Sequence, residues 1–268
     1  MLDARLGGKR ALITGGSTGI GLAIAQSLAD EGVALAIASR SPDPTAIDAL
    51  RERGVQVHPI AADVSRESAV VNMVEEAASA LGGLDLYVNV AAGAWHEPIS
   101  RLTSESWYRT IDTNIGACVW GCREVARRFI RQGHGSILVI GSVAMSMPQP
   151  CETAYRISKV ALKAHVETEA VELAPFGVRA NLLVPGAFDT KMLADTPRAL
   201  RNRVMSEIPL RREAQPREIA ASAVLLLSDE LSPYTTGATL VVDGGLSLRP
   251  LLAGSDSDLN SLNSPPWQ

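Results

Sequence analysis

Short apolar runs alternate with longer segments of helical periodicity along almost the whole chain. The runs "RALIT" (10–14), "VALAIAS" (33–39), "VQVHPI" (55–60), "LDLYVNVAA" (84–92), "SILVIG" (136–141), "VRANLLVP" (178–185) and "TLVVD" (239–243) are rich in Val, Ile, Leu and Ala. They lack strict polar alternation, which predicts strands covered on both faces, as in a parallel sheet. Helical patterns fall between them near 19–31, 44–53, 66–81, 104–132, 153–175 and 216–228. Gly32, Gly54 and Gly82–Gly83 follow the first three, where helix-ending glycines belong. This alternation predicts one doubly wound α/β domain over residues 1–246. Residues 186–213 interrupt it, and so long an excursion is expected to act as a lid. From about 247 the chain turns polar and proline-bearing. That tail is expected to be disordered or to dock through Trp267.

Composition narrows the function classes. A content of 46% hydrophobic residues supports one sizeable core. The net charge of −4 and pI near 5.6 argue against a nucleic-acid surface. Arg127, Arg128 and Arg131, and the Arg198 to Arg203 stretch, read as solvated helix faces. Cys118, Cys122 and Cys151 are too few and wrongly spaced for a disulfide framework, and the first two predict core packing one helical turn apart. His58, His96, His134 and His165 show no metal-ligand spacing, so no metal is expected. No apolar run approaches membrane-spanning length, which predicts a soluble, cytoplasmic protein.

The stretch "ALITGGSTGIGLAIAQSLADEG" reads as strand, tight glycine turn and helix. Gly15, Gly19 and Gly21 would let backbone amides and a helix N-terminus approach a pyrophosphate. The same residues spell G-x-S-x-G around Ser17, the nucleophile elbow of a serine hydrolase. That chemistry needs a late histidine, and the last one, His165, precedes more than a hundred residues. The second strand ends at Ser39–Arg40, where an NAD-binding fold would place a carboxylate for the ribose 2′-hydroxyl. A hydroxyl and a guanidinium there suit a 2′-phosphate instead, so NADP(H) is expected in preference to NAD(H).

Tyr155 and Lys159 lie four apart on one face of the predicted 153–175 helix. By themselves they fit an ordinary amphipathic helix. With "TGGSTGIG" (14–21), "YRISK" (155–159) and Ser142 thirteen residues before the tyrosine, the chain resembles the short-chain dehydrogenase/reductase family. Asn114 in "IDTNIGA", Asp63 in "AADVS", "VPGAFDT" (184–190) and "VVDGG" (241–245) extend the resemblance over residues 6 to 246. One departure is visible: "NVAAG" (89–93) stands where the family carries N-N-A-G, with Val90 in place of the second asparagine and Ala92 inserted before Gly93.

The resemblance implies a Rossmann-like fold and a catalytic set of Asn114, Ser142, Tyr155 and Lys159. It implies nicotinamide-nucleotide contacts from Gly15, Ser17, Thr18, Gly19, Ile20, Gly21, Ser39, Arg40, Asp63, Val64, Asn89, Ala91, Pro185, Gly186 and Thr190, together with Tyr155 and Lys159. Tyr155 would be the general acid of carbonyl reduction, with Ser142 orienting the substrate oxygen and Asn114 holding a water that relays protons to the lysine. An ammonium about 5 Å from the phenol would favour phenolate by roughly 3 kcal/mol, with desolvation opposing it. Trp95, His96, Met147, Gln149, Phe188 and Met192 are the expected substrate wall, apolar enough for a ketone, a 3-oxoacyl thioester or a sterol-like carbonyl. Oxidation of an alcohol, sugar or steroid is the alternative direction. A serine hydrolase and a non-catalytic NADPH sensor are the rivals from other classes. No metal, nucleic acid or membrane partner is expected, and pairing of the long helices into a homodimer or homotetramer is.

Overall fold

The computed structural model describes residues 3–190 and 198–248. Trp267, the tail from 249 and Met192 lie outside the described residues. Seven parallel strands form one sheet in the order β3-β2-β1-β4-β5-β6-β7. They are β1 (Arg10–Thr14), β2 (Ala34–Ser39), β3 (Val57–Ala61), β4 (Leu86–Asn89), β5 (Gly135–Ile140), β6 (Val178–Pro185) and β7 (Thr239–Val242). The helices are α1 (Gly19–Asp30), α2 (Pro44–Arg51), α3 (Glu67–Leu81), α4 (Ser104–Ile111), α5 (Ala117–Gln132), α6 (Thr153–Leu173), α7 (Arg198–Glu207) and α8 (Pro216–Leu227).

Successive strand residues point to opposite faces of a sheet, and β1 divides accordingly. Leu12 joins the core under α3, α5 and α6 with Met73, Phe129 and Leu162, while Ala11 and Ile13 join the core under α1 and α8 with Ile24, Leu28 and Ala223. Burial on both sides explains why the inner strands β1, β4, β5 and β6 carry no polar alternation, while β3 and β7 at the edges are partly exposed. Helix ends follow local chemistry. Asp43 accepts from the Thr45 amide ahead of α2, with Pro44 at its first position, and Glu218 closes a capping box on Gln215 at α8. Gly82 ends α3 in the left-handed region at φ 73°.

The strand order reverses between β1 and β4, each connected outward in opposite directions, so a crevice opens at the carboxyl ends of these two strands. One prediction needs correction. The helix expected over 104–132 is interrupted by a π-helical turn at Asp112–Gly116, which separates α4 from α5 and turns Asn114 into the interior. The 186–213 excursion contains α7, and its ends meet where Phe188 bridges Ala214. Among the described residues no helix is long and apolar enough to cross a membrane.

Candidate active site

The crevice is built first from the glycine turn after β1. Gly15 (φ 67°) and Gly19 (φ 52°) occupy the left-handed region. A Cβ on Gly21 would sit 2.2 Å from the Gly15 carbonyl oxygen, so only glycine lets α1 start this close to the turn. Thr18 is the N-cap of α1 yet makes no side-chain capping bond, and the first turn carries no acidic residue. Orphan amides at a positive helix end therefore face the crevice, as an anionic pyrophosphate requires. Ile20 lies in this first turn, half-buried against the core. Thr190 reaches the same place, its Cγ2 3.4 Å from where a Gly19 Cβ would be.

The loop after β4 closes over the turn. Thr14 Oγ1 accepts from the amides of Val90 and Ala91 at 3.1 Å each, and the Gly15 Cβ position lies 3.1 Å from Ala91. Asn89 is buried and its Oδ1 accepts from Tyr87 (3.2 Å) and Thr14 (3.4 Å). The side chain of Asn89 thus braces the strand end, and the inserted Ala92 is absorbed beyond it.

At the end of β2, Ser39 is hydrogen-bonded to Ser17 at 3.3 Å and Arg40 is exposed. Ser17 is buried with this serine as its partner and no histidine beside it, so it lacks the base a nucleophile elbow needs. Asp63 is exposed on the neighbouring strand end and followed by buried Val64. Its carboxyl is held below the usual range, chiefly by the Ser65 hydroxyl and further by the charges of Arg66 and Arg40. Two guanidinium groups therefore flank this corner. Arg66 was not among the residues singled out from the sequence.

On the other side of the crevice, Ser142 caps a 3-10 turn at Val143–Met145 and accepts from the Ala144 amide at 3.2 Å. Tyr155 in the first turn of α6 is 8% exposed. Burial pushes its phenol up, a hydrogen bond with Ser142 pulls it down, and the Glu152 carboxyl pushes it up again. Lys159 is buried, its Nζ 5.9 Å from the Tyr155 ring centroid and donating to the Ile140 carbonyl at 3.0 Å. Burial lowers it to about 8. The lysine therefore is directed at the end of β5, and burial is the largest influence on the phenol.

Asn114 has direct protein partners on both sides. Its Oδ1 accepts from the Gly93 amide at 2.8 Å, and its Nδ2 donates to the Gly93 carbonyl (2.9 Å) and to Ser158 Oγ (3.0 Å). Both amide hydrogens are committed, which leaves one Oδ1 lone pair for a water. Asn114 is an anchor between the loop after β4 and α6.

The expected substrate wall divides. Trp95 lies over Gly93 and receives the Arg109 guanidinium 4.5 Å from its ring centroid. Exposed His96 points its Nδ1 to Glu152 at 3.8 Å, and Gln149 is exposed. The Glu97 amide donates to the Cys151 carbonyl at 3.0 Å and ties the two wall segments together. Met147 and Phe188, by contrast, are buried in core, the first against Ile208 and Leu246, the second under α8. They support the wall from behind. Pro185 ends β6 buried, and a Cβ on Gly186 would strike Asp243 at 2.6 Å, which brings the last strand end to the crevice.

Comparison with known proteins agrees with this geometry. A family model described as enoyl-(acyl carrier protein) reductase matches residues 15–247. Glucose 1-dehydrogenase of Gluconobacter oxydans is 38% identical over 91% of this chain and 94% of its own. The 3-oxoacyl-(acyl-carrier-protein) reductase FabG of Chlamydia pneumoniae is 31% identical over 92% of this chain and 100% of its own. The crystal structure of a gluconate 5-dehydrogenase from Burkholderia cenocepacia in complex with NADP and tartrate superimposes with a TM-score of 0.86 at 31% identity, over 92% of this chain and 98% of that one. The chain belongs to the short-chain dehydrogenase/reductase family and is an oxidoreductase acting on CH–OH or C=O groups.

Proposed function

We propose that the protein is an NADPH-dependent reductase of ketones or aldehydes, with Tyr155 as the proton donor. The observation that carries the reading is that the uncapped α1 N-terminus and a buried phenol, whose pKa the neighbouring Ser142 pulls down, stand at the carboxyl ends of the same parallel strands. The glycine cradle and the orphan amides fit a dinucleotide pyrophosphate. Gly15, Thr18, Gly19 and Gly21 would hold it, with Asp63 and Val64 at the adenine end and Ala91, Pro185, Gly186 and Thr190 toward the nicotinamide. A nicotinamide bound there would supply hydride for the carbonyl carbon.

The chain's own residues handle the oxygen. Ser142 donates a hydrogen bond to the substrate oxygen and fixes it beside the Tyr155 hydroxyl. Tyr155 gives its proton to that oxygen as negative charge develops, and run backwards it accepts the proton of an alcohol. Lys159 places a cation behind the phenol and would reach the nicotinamide ribose. A panel of ketones, aldehydes and 3-oxoacyl thioesters, followed by loss of NADPH absorbance and repeated with NADH, tests the reading. Turnover on a carbonyl is the expected result. Turnover confined to alcohols and sugars with oxidised cofactor would reverse the direction, and the name of the Gluconobacter relative keeps that arm in the experiment.

The cofactor preference rests on the Ser39, Arg40 and Arg66 corner. A 2′-phosphate there would receive charge-assisted bonds, and a carboxylate would repel it. Arg40→Asp is expected to raise the KM for NADPH about ten- to hundredfold, the worth of one or more hydrogen bonds to a charged group, and to favour NADH relatively. Initial rates with both cofactors read this, and a wild-type enzyme that already prefers NADH would refute it.

Assembly is part of the same reading. The outer faces of α5 and α6 expose Val119, Ile130, Ile157, Val160 and Val171. Such apolar stripes support pairing of these helices between copies, as a homodimer or homotetramer.

A further inference from the structure

Between α5 and α6 lies a cluster that the oxidoreductase chemistry does not use. Cys118 and Cys122 of α5 are fully buried, with Sγ atoms 3.9 Å apart. His165 of α6 faces them, and one ligand atom from each of the three lies within 4.8 Å of the other two. Glu169, one helical turn after the histidine, is 8% exposed and places Oε1 3.3 Å from His165 Nε2. That approach is too poorly aligned for a hydrogen bond: His165 Nε2 and Glu169 Oε2 are both buried without a partner. Unsatisfied buried polar atoms of this kind need an explanation, and an ion is one.

In a tetrahedral site, zinc–sulfur bonds of about 2.3 Å give a sulfur–sulfur edge of about 3.8 Å, close to the 3.9 Å between Cys118 and Cys122. We propose that Cys118, Cys122 and His165 bind one zinc ion that clasps α5 to α6, with Glu169 beside the histidine. Two thiolates and an imidazole select a borderline-soft ion over magnesium or calcium. His165 is the least buried of the three.

The ion would sit between the helix that follows Asn114 and the helix that carries Tyr155 and Lys159. The ligand pattern escapes a reading of the sequence because C-x-x-x-C and H-x-x-x-E stand on separate helices and match no contiguous motif.

The test is metal content, independent of turnover. The full chain, purified without chelator and equilibrated in a buffer holding free zinc in the nanomolar range, is expected to carry about one zinc per chain by elemental analysis. The Cys118→Ser/Cys122→Ser double variant should carry almost none, and the surface variant His96→Ala should keep it. Cobalt exchanged into the wild type should show an intense thiolate-to-cobalt charge-transfer band. A wild type with only a trace of zinc after equilibration, or a double variant with as much zinc as the wild type, would overturn the proposal. If the double variant does not fold, the cobalt spectrum of the wild type decides, and absence of the band rejects the site.

Discussion

Replacing Tyr155 by phenylalanine is expected to lower carbonyl reduction by about 10²–10⁴-fold, the usual contribution of a positioned general acid. The ring is buried, so the variant keeps the packing of the first turn of α6 and loses only the hydroxyl. Ser142 retains the Ala144 amide as a donor. Cofactor affinity, read by nucleotide fluorescence, should therefore stay within about twofold while kcat collapses, as expected when a group acts mainly in the transition state. The pH behaviour gives a second readout. Burial raises the phenol, so it remains protonated through the neutral range and suits reduction. Oxidation needs the ionised form and should climb with pH over the alkaline range. Ser142→Ala removes the one group that pulls the phenol down, so its oxidative limb should move to still higher pH. A Tyr155→Phe enzyme that reduces carbonyls within tenfold of the wild type would mean that another acid delivers the proton.

Much of this was legible before any coordinates. The boundaries of β1 and β6 coincide with their apolar runs, because glycine, proline or charged residues stop each run where burial on both faces stops. The catalytic candidates stood out because their spacing is tied to one fold. What stayed hidden has physical causes. The π-turn at Asp112–Gly116 leaves the apolar periodicity of 104–132 nearly unbroken, so the extra residue that swings Asn114 inward makes no mark on the pattern. Met147 and Phe188 look like pocket walls because an apolar side chain beside a functional loop reads the same whether it faces ligand or core. The lysine was weighed by its charge, while its fate is set by desolvation and by the Ile140 carbonyl, neither visible in one dimension. Arg66 did leave a signal, three residues beyond Asp63, but it belongs to no motif.

Asn114→Ala should reveal an anchor whose loss reaches both stability and turnover. In the wild type one side chain satisfies the Gly93 amide, the Gly93 carbonyl and the Ser158 hydroxyl, at 2.8, 2.9 and 3.0 Å. Alanine leaves these groups without that partner. Ser158 keeps its bond to the Tyr155 carbonyl, so the burden falls mainly on Gly93. Leaving buried donors and acceptors unpaired costs about 1–3 kcal/mol each, and with partial rescue by water a loss near 3 kcal/mol is expected. For a domain of this size that is a fall in Tm of roughly 6–12 °C. Activity should drop with it, because the loop from Val90 to Pro98 carries Trp95 and His96 and is tied to the first turns of α6 through this amide. A residue that only relayed protons would lower kcat and leave Tm and cofactor affinity alone. The anchor should move all three together. An Asn114→Ala protein that melts where the wild type does would return the residue to the proton relay and remove Gly93 from the account of how the crevice is held.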